Sequence, residues 1–385
     1  MAAELGLFDG VYAHGAAAIA LSDTAWLQAM LDFEAALARA HAAEGTLPAA
    51  EAERIVAVCD AGRYDLSALS REGARHAQPV VGLIAAMRAQ LAPAEDRVHL
   101  GATSQDTVDT AAMLVARRAL VPLLADADAA ARAAAGLARE HAGTPQPART
   151  LLQQALPTSF GLVAAGWADG VAAARARLLA IAETELAVQM GGPVGSAGLA
   201  LSARMAAELG LAEPALPWHT IRVRPAALAG ALGTLAGVLG KVARDITLLA
   251  QSEVGEVSEG GGPGAGASSA MAHKRNPTAA LSVLACTRRV PGLVATMLAA
   301  MEQEHQRAAG AWQAEWGTLT ELLGLTASAA AWARELLGSL QIHPSQMAAN
   351  LERMAAAQVR EAADPSGHLG DAAAMIDRAL AEYEL

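Results

Sequence analysis

One stretch of the 385-residue chain gathers side chains suited to proton transfer and anion binding. A glycine-rich run leads through Ser268 and Ser269 to Lys274 and Asn276. Such a loop can close over a ligand and present backbone N–H groups, an ammonium and an amide to one anion. A hydroxyl among cations loses its proton more easily, so either serine suits proton transfer at carbon. A solvated linker with incidental charges explains the spacing equally well.

A second polar stretch, residues 98–110, precedes a predicted helix of about 30 residues. Thr103 and Ser104 stand where this helix begins. Their hydroxyls and the free N–H groups of the first turn could hold a carboxylate. Capping of the helix by the same side chains is the simpler interpretation of the bare sequence.

The elements that must position these residues are helical, because apolar residues recur at three- and four-residue spacing while strand signals are nearly absent. We predict helices over residues 23–45, 49–60, 70–91, 158–190, 225–253, 278–307 and 312–338, and a helix of about 30 residues that ends near residue 141. Residues 212–225 and 255–267 should be irregular. Helices of 30 residues span about 45 Å, so we expect them to pack against other subunits as well.

Composition excludes several classes of protein. The net charge of −11 disfavours nucleic-acid binding, and 54% hydrophobic with 17% charged residues excludes disorder. Two cysteines are too few for a disulfide framework, which indicates a reducing compartment. Charges interrupt the apolar windows, and the N-terminus has no basic region. We therefore expect a cytoplasmic protein that binds no membrane.

A metal site is not indicated by the sequence. Glu302, Glu304 and His305 are the nearest approach to a ligand cluster. Helical spacing does not place all three on one face. We therefore expect neither a metal nor an organic cofactor.

The serine loop resembles the signature of the fumarase/aspartase superfamily, G-S-S-x-M-P-x-K-x-N-P. Six of its eight fixed positions match, and Ala267 and Ala272 are the departures. Residues 101–106 resemble the first conserved region of the superfamily, and residues 149–157 resemble the second. Three matching regions in the right order make a chance match improbable.

Within the superfamily, the chain resembles the bacterial 3-carboxy-cis,cis-muconate cycloisomerases. The stretches that carry this likeness are residues 7–9, 25–31, 152–157, 217–220 and 304–316. Leu151 and Gln154 occupy the positions where many superfamily lyases have a histidine. Gln306 stands where relatives often have a glutamate. A His–Glu pair at these positions is therefore excluded.

The resemblance implies an all-α, long-helix bundle whose small C-terminal domain is shortened or missing. We expect an N-terminal helical domain over residues 1–95, a central bundle over 96–340 and a short helical tail over 341–385. It also implies a homotetramer with shared active sites.

The resemblance implies a role for each residue of the loop. Ser268 would transfer the proton at carbon, and Ser269 would act through its backbone N–H. Lys274 and Asn276 would bind one substrate carboxylate. His273, in the same loop, is a substitute acid or simply a solvated histidine.

Residues outside the loop would complete the site. Thr103 and Ser104 would hold a second carboxylate, and the list of remaining candidates is Gln153, Gln154, His219 and Arg222. The two glutamines would donate amide hydrogen bonds, and the arginine would clamp a carboxylate. The histidine, which follows Trp218 in a proline-rich stretch, is either a site residue or part of a surface turn.

The function implied by the resemblance is a cofactor-free cycloisomerase of protocatechuate breakdown that acts on a small polycarboxylate. Its chemistry passes through an aci-carboxylate, whose extra negative charge requires donors fixed in advance. Two alternatives remain open: a superfamily lyase that releases fumarate from a substituted succinate, and a non-catalytic helical scaffold.

Overall fold

The computed structural model describes residues 6–91, 97–260, 262, 264–271, 274–356 and 364–385, so His273 and Ala272 lie outside the described residues. The helices are α1 (Asp9–Tyr12), α2 (Ala17–Ala20), α3 (Asp23–Ala43), α4 (Ala49–Val56), α5 (Leu66–His76), α6 (Val80–Leu91), α7 (Ser104–Glu140), α8 (Phe160–Thr184), α9 (Leu199–Leu209), α10 (Val223–Leu249), α11 (Thr278–Ala299), α12 (Ala311–Gly338), α13 (Pro344–Ala356) and α14 (Ala372–Glu382). Short 3-10 turns cover Ala61–Arg63 and Pro365–His368. The expected helical character is confirmed.

Five long helices, α7, α8, α10, α11 and α12, form the central bundle. Their contact faces are rich in alanine and leucine, and many of these side chains are fully buried. Alanine lets helix backbones approach closely and favours the helical conformation. A continuous core therefore forms although aromatic residues make up only 3% of the chain.

The bundle has two distinct ends. The helices α7, α10 and α12 begin at one end, because Arg222 before α10 and Trp312 in α12 both contact Asp109 in the first turns of α7. The helix α8 begins at the other end, where the Phe160 N–H donates to the Thr144 carbonyl. We call these the Thr103 end and the hairpin end.

The hairpin end is named for two strands that the sequence analysis did not predict. Strand β1 (Pro145–Thr150) pairs antiparallel with β2 (Gln153–Ser159). Strands β3 (Val257–Glu259) and β4 (Leu340–Ile342) form a second antiparallel pair nearby. Both pairs are short and lack an alternating apolar pattern, which is why periodicity missed them.

The helical predictions also differ from the structure elsewhere, and the helix predicted over 278–307 ends at Ala299. The segment 70–91 is two helices, α5 and α6, because Ala77 adopts a left-handed conformation with φ of 53° just before Pro79. Pro79 also disfavours a helical conformation at Gln78, the residue before it, so the first helix cannot continue. Helix α9, which follows Gly198, was not predicted.

Among the residues that the structure describes, two helices, α10 and α11, are long and apolar enough to cross a membrane by length and composition alone. Half of the apolar window of α10 is buried inside the bundle. Only 28% of the α11 window is buried. The chain itself therefore leaves much of the apolar surface of α11 uncovered.

Candidate functional site

A buried carboxylate organises the Thr103 end. Asp106 Oδ2 accepts hydrogen bonds from the Thr103 N–H at 3.0 Å and the Gly192 N–H at 2.9 Å, and Oδ1 accepts from the Gly191 N–H at 3.1 Å. His219 Nε2 lies 2.6 Å from the same Oδ1. The carboxylate thus ties the start of α7 to two other segments.

The contact with Asp106 fixes the orientation of the buried His219 ring. An ionised carboxylate only accepts hydrogen bonds, so Nε2 carries the proton. The other ring nitrogen, Nδ1, faces Gly195, where an added Cβ would lie 3.7 Å away. His219 is therefore a buried residue at the Thr103 end, and the surface-turn interpretation is wrong. Thr103 and Ser104 lie half-buried at the start of α7.

Arg222 is also buried, at 4% exposure, but it faces the interior. Its Nη1 and Nη2 donate to the two oxygens of Asp109 at 2.8 and 3.0 Å. Nε and Nη2 donate to Glu315 at 3.0 and 2.5 Å. These partners, with the His219 carbonyl at 3.5 Å, occupy the whole guanidinium fork. Arg222 thus serves the interior in this conformation rather than a substrate carboxylate.

Burial and charge attraction act against each other in the ion-pair network of Arg222, Asp109 and Glu315. Burial alone would lower the pKa of Arg222, but Asp109 and Glu315 raise it above the usual value. Burial raises the pKa of Glu315, and Arg222 offsets only part of that effect. Gln303 Nε2 also donates to Glu315, at 2.9 Å. Removing one member would leave an uncompensated buried charge.

A second histidine lies just before the start of α7. His99, with φ of 64°, places Nδ1 2.7 Å from the buried carboxylate of Glu34. Thr107 in α7 donates to the same oxygen at 3.1 Å. Burial lowers the pKa of His99, but Glu34 raises it by charge attraction and by the hydrogen bond, and the net shift is upward.

The serine loop lies near the hairpin end. Ser268 Oγ accepts hydrogen bonds from the backbone N–H groups of Ala270 at 3.3 Å and Met271 at 3.1 Å. Two such donors would stabilise negative charge on this oxygen. Both donors come from the two residues that follow Ser269, and the expected role of the Ser269 N–H stays a prediction. Lys274 is exposed.

The base of the loop is closed by one residue pair. Asn276 donates to the Gly266 carbonyl through its backbone N–H at 2.8 Å and its side-chain amide at 3.2 Å. Gly266 has φ of 67°, and an added Cβ would lie 2.4 Å from the Asn276 carbonyl oxygen. Only glycine fits this approach without strain. In this conformation the Asn276 amide holds the loop closed.

The hairpin carries the two glutamines. Gln153 and Gln154 begin β2 and are exposed. The turn before them consists of Leu151 and Leu152, both with positive φ and with 96% and 73% of their surface exposed. At the base, Arg149 pairs with the buried Glu256 at 2.6 Å.

The predicted site residues fall into two groups that one chain does not bring together. Helix α7 has 37 residues and is about 55 Å long. The six residues of β1 could retrace at most about 20 Å of that length. Residues 141–144 and 151–152 add a turn on either side of β1, so Thr103 and Gln153 are more than about 20 Å apart, and the serine loop belongs to the group at the hairpin end.

Sequence reasoning missed two residues of the Thr103 end, Asp106 and Arg307. The spacing from Thr103 to Asp106 matches a capping box, in which the acidic residue bonds back to the first N–H, and could have identified the aspartate. Arg307 Nη2 donates to the Gly192 carbonyl at 2.6 Å. No local signal points to that contact, because it joins residues 115 positions apart.

Comparison with known proteins agrees with this architecture. A family model described as lyase matches residues 16–292. The 3-carboxy-cis,cis-muconate cycloisomerase of Bradyrhizobium diazoefficiens is 45% identical over 86% of this chain and 76% of that protein. The nitrosuccinate lyase of Streptomyces davaonensis is 44% identical over 91% of this chain and 77% of that protein.

A solved structure shows the same fold over nearly the whole chain. The 3-carboxy-cis,cis-muconate lactonizing enzyme from Pseudomonas putida has a TM-score of 0.89 and 34% identity, over 98% of this chain and 99% of that chain. Its likeness extends well beyond the three motif regions. The chain therefore belongs to this lyase family of the fumarase/aspartase superfamily, together with the 3-carboxy-cis,cis-muconate cycloisomerases.

Proposed function

We propose that the chain is a cofactor-free cycloisomerase that converts 3-carboxy-cis,cis-muconate to a carboxymuconolactone in protocatechuate breakdown. The observation that carries this proposal is the 45% identity to the Bradyrhizobium cycloisomerase over 86% of the chain. The signature residues Ser268, Lys274 and Asn276 are all present. A scaffold would have no need of these three together, so the family chemistry is favoured over a purely structural role.

The proposed reaction needs one proton delivered to carbon. A carboxylate oxygen of the substrate attacks the conjugated diene, and the displaced π electrons pass to a neighbouring carboxylate as an aci-carboxylate. Ser268 Oγ then gives its proton to the carbon and becomes an alkoxide, which the N–H groups of Ala270 and Met271 stabilise. Water restores the proton afterwards.

Binding of the trianionic substrate calls for donors from both ends of the bundle. Thr103 and Ser104 would hold one carboxylate at the positive end of the α7 dipole. Lys274 would bind a second carboxylate of the substrate. The Asn276 amide would either support the loop or turn to bind the substrate. Ser269 would contribute a polar contact beside Ser268.

We propose roles for the four remaining predicted site residues. Gln153 and Gln154 would donate from the exposed start of β2. His219 would present Nδ1 at the Thr103 end. Arg222 would act as a positioning residue behind it, since its donors serve Asp109 and Glu315.

Each complete site would then need more than one copy of the chain. The Thr103 end of one copy would meet the hairpin end of another, which brings together residues that a single chain keeps more than about 20 Å apart. The uncovered apolar surface of α11 and the exposed leucines of the hairpin turn favour such an assembly. We propose a homotetramer with shared sites.

Co-expression of two inactive variants tests this sharing. Ser268→Ala damages the hairpin end, and Ser104→Ala damages the Thr103 end. Mixed assemblies would contain some sites with both ends intact, so activity should return in the co-purified mixture. Persistent inactivity of a mixed oligomer would contradict shared sites.

A second candidate function has a specific observation in its favour. The Streptomyces nitrosuccinate lyase is 44% identical over 91% of the chain, nearly the same similarity as the cycloisomerase. Elimination from nitrosuccinate would give fumarate and nitrite, and it would use the same serine as a base rather than an acid. The fold and the loop suit both reactions.

One pair of assays separates the two candidates. Lactone formation removes the conjugated diene of 3-carboxy-cis,cis-muconate, so its ultraviolet absorbance must fall. Nitrosuccinate elimination instead produces fumarate and nitrite, which are quantified separately. We expect faster turnover of the muconate, and a larger kcat/KM for nitrosuccinate would overturn the cycloisomerase proposal.

Three further predictions accompany this proposal: a cytoplasmic location, the division at residues 1–95, 96–340 and 341–385, and a shortened C-terminal domain. The alignment covers 76% of the Bradyrhizobium protein but 99% of the solved Pseudomonas chain. The coverage of the Bradyrhizobium protein is what a shortened domain would give. The coverage of the Pseudomonas chain is what two chains of equal extent would give. The C-terminal shortening stays a prediction.

A further inference from the structure

Glu259 ends β3 just before the serine loop, and its carboxylate contacts the first turn of the helix that follows the loop. Oε2 accepts the Ala279 N–H at 3.0 Å, and Oε1 accepts the Ala280 N–H at 2.8 Å. These donors are the second and third residues of α11. One side chain therefore joins the two ends of the serine loop, across 20 positions of the sequence.

The first turn of α11 depends on this distant residue for its cap. Among the described residues, Pro277 directly precedes the helix and offers no side-chain hydrogen bond to it. The N–H groups of a first turn have no partner inside the helix, and a neighbouring serine, threonine or aspartate usually accepts them. Glu259 accepts them instead, and its negative charge suits the positive end of the helix dipole. The start of α11 is therefore placed by β3.

The segment that carries Glu259 is fixed to the rest of the hairpin end. Strand β3 pairs antiparallel with β4. The buried Glu256, just before β3, pairs with Arg149 of β1 and accepts a hydrogen bond from Asn350 Nδ2 at 2.5 Å. Arg149 lies opposite Gln154 in the register of the hairpin. The Glu259 contact thus relates the serine loop to the strand that carries the predicted glutamines.

A short series of contacts leads from Glu259 to Ser268. Asn276 lies three residues before Ala279, and it donates to the Gly266 carbonyl through its backbone N–H at 2.8 Å and its side-chain amide at 3.2 Å. Gly266 lies two residues before the serine. A displacement of the start of α11 would therefore move Asn276 and, through the Gly266 carbonyl, the serine as well.

We propose that Glu259 is a positioning residue for Ser268: its carboxylate holds the end of the serine loop against β3 and so sets where the serine meets the substrate. The inference rests on the proposed function, in which Ser268 delivers the proton. Loss of a helix cap by itself changes stability little. Displacement of a reacting group by about 1 Å can cost about 100-fold in rate. The Glu259 contact should therefore matter more for turnover than for folding.

Steady-state kinetics of Glu259→Ala with 3-carboxy-cis,cis-muconate, on the intact oligomer, test the proposal. We expect kcat to fall about 10- to 100-fold and KM to change less, because the donors at the Thr103 end stay in place. The thermal midpoint should fall by about 4 °C or less. Glu259→Gln, which keeps one acceptor oxygen, should lose less activity. Glu253→Ala, at an exposed position of the preceding segment, is the control and should behave as the wild type does.

A local cap distinguishes positioning from capping. Pro277→Ser provides a hydroxyl that can accept N–H groups of the first turn of α11 without any link to β3. Glu259→Ala is therefore compared in the Pro277→Ser background as well as in the wild type. We expect the same fold loss of kcat in both backgrounds. If Glu259→Ala no longer lowers kcat once the local cap is present, the residue only caps the helix and the proposal is overturned.

Hydrogen exchange gives a readout that needs no turnover. In Glu259→Ala, residues 264–271 should exchange their amide protons about 10-fold faster than in the wild type, whereas α10 should exchange unchanged. Unchanged exchange in residues 264–271 would overturn the inference. If the wild type turns over neither 3-carboxy-cis,cis-muconate nor nitrosuccinate, the proposed function falls, and faster exchange would still establish that Glu259 holds the loop. If Glu259→Ala does not fold, the same measurements on Glu259→Gln decide.

Discussion

His219 Nε2 lies 2.6 Å from Asp106 Oδ1, in a contact between residues 113 positions apart in the chain. The same carboxylate accepts three backbone N–H groups, so it both caps α7 and fixes the histidine ring. This single side chain joins the start of the longest helix to the segment that precedes α10. The geometry of the Thr103 end therefore depends on its negative charge.

Asp106→Asn should destabilise the fold. The amide would turn an NH₂ toward groups that are themselves donors, and the buried histidine would lose its partner. Leaving a buried donor without its acceptor costs about 1–3 kcal/mol in free energy of unfolding. Urea unfolding at fixed protein concentration measures the change. Asp377→Asn, at an exposed position, is the control, and equal stabilities of the two variants would contradict this role.

Arg222→Met should act on stability rather than on substrate binding. The substitution leaves the carboxylates of Asp109 and Glu315 buried without their cation, at a cost of about 3–5 kcal/mol. Arg204→Met, which removes an exposed pair, should cost about 1 kcal/mol or less. Urea unfolding again gives the comparison. If Arg222→Met had the stability of the wild type and a raised KM, the result would contradict the structural role and support Arg222 as the residue that binds a substrate carboxylate.

His99 should make stability depend on pH. Its pKa is raised in the folded state, so the folded chain binds the proton more tightly than the unfolded chain. The stabilisation is fully present below the ordinary histidine pKa of about 6.5 and is lost as the pH rises through the higher folded-state value. Unfolding free energies measured from pH 6 upward should fall accordingly.

The control for this pH effect is built from two variants. His99→Gln should remove the part of the pH dependence of the unfolding free energy that comes from the contact between His99 and Glu34. His368→Gln, at an exposed position, should leave the slope of the wild type. An unchanged slope in His99→Gln would show that other groups cause the dependence.

Gly266→Ala should lower activity while leaving the bundle intact. The new Cβ would collide with the Asn276 carbonyl oxygen, and the positive φ would be strained as well. The loop base would open and displace Ser268, and misplacement by about 1 Å can cost about 100-fold in rate. The expected result is a fall in kcat with an unchanged thermal midpoint. Gly262→Ala, which meets no neighbouring atom, should behave as wild type.

The sequence predicted the long helices well, because their apolar periodicity and caps are local signals. Ser22 caps α3 at Ala25, and α3 ends two residues before Gly45, where its end was expected. The two strand pairs and α9 carried no comparable periodic signal. Their formation depends on neighbouring elements that the local sequence does not reveal.

The candidate site could be predicted only where the chemistry is local. The serine loop carries its residues within ten positions, so its character was evident from spacing and resemblance. The sequence could not show that Arg222 faces the interior, because its partners Asp109 and Glu315 are 113 and 93 residues away. Whether a guanidinium faces a substrate or the interior depends on such distant contacts.

The ultraviolet absorbance of 3-carboxy-cis,cis-muconate, followed with wild type, Ser268→Ala and Ser269→Ala side by side, tests the central claim most directly. The account predicts that absorbance falls with the wild type and that Ser268→Ala abolishes the fall. Ser269→Ala should retain measurable activity, because its neighbour delivers the proton. Constant absorbance with the wild type, or full activity in folded Ser268→Ala, would contradict the account.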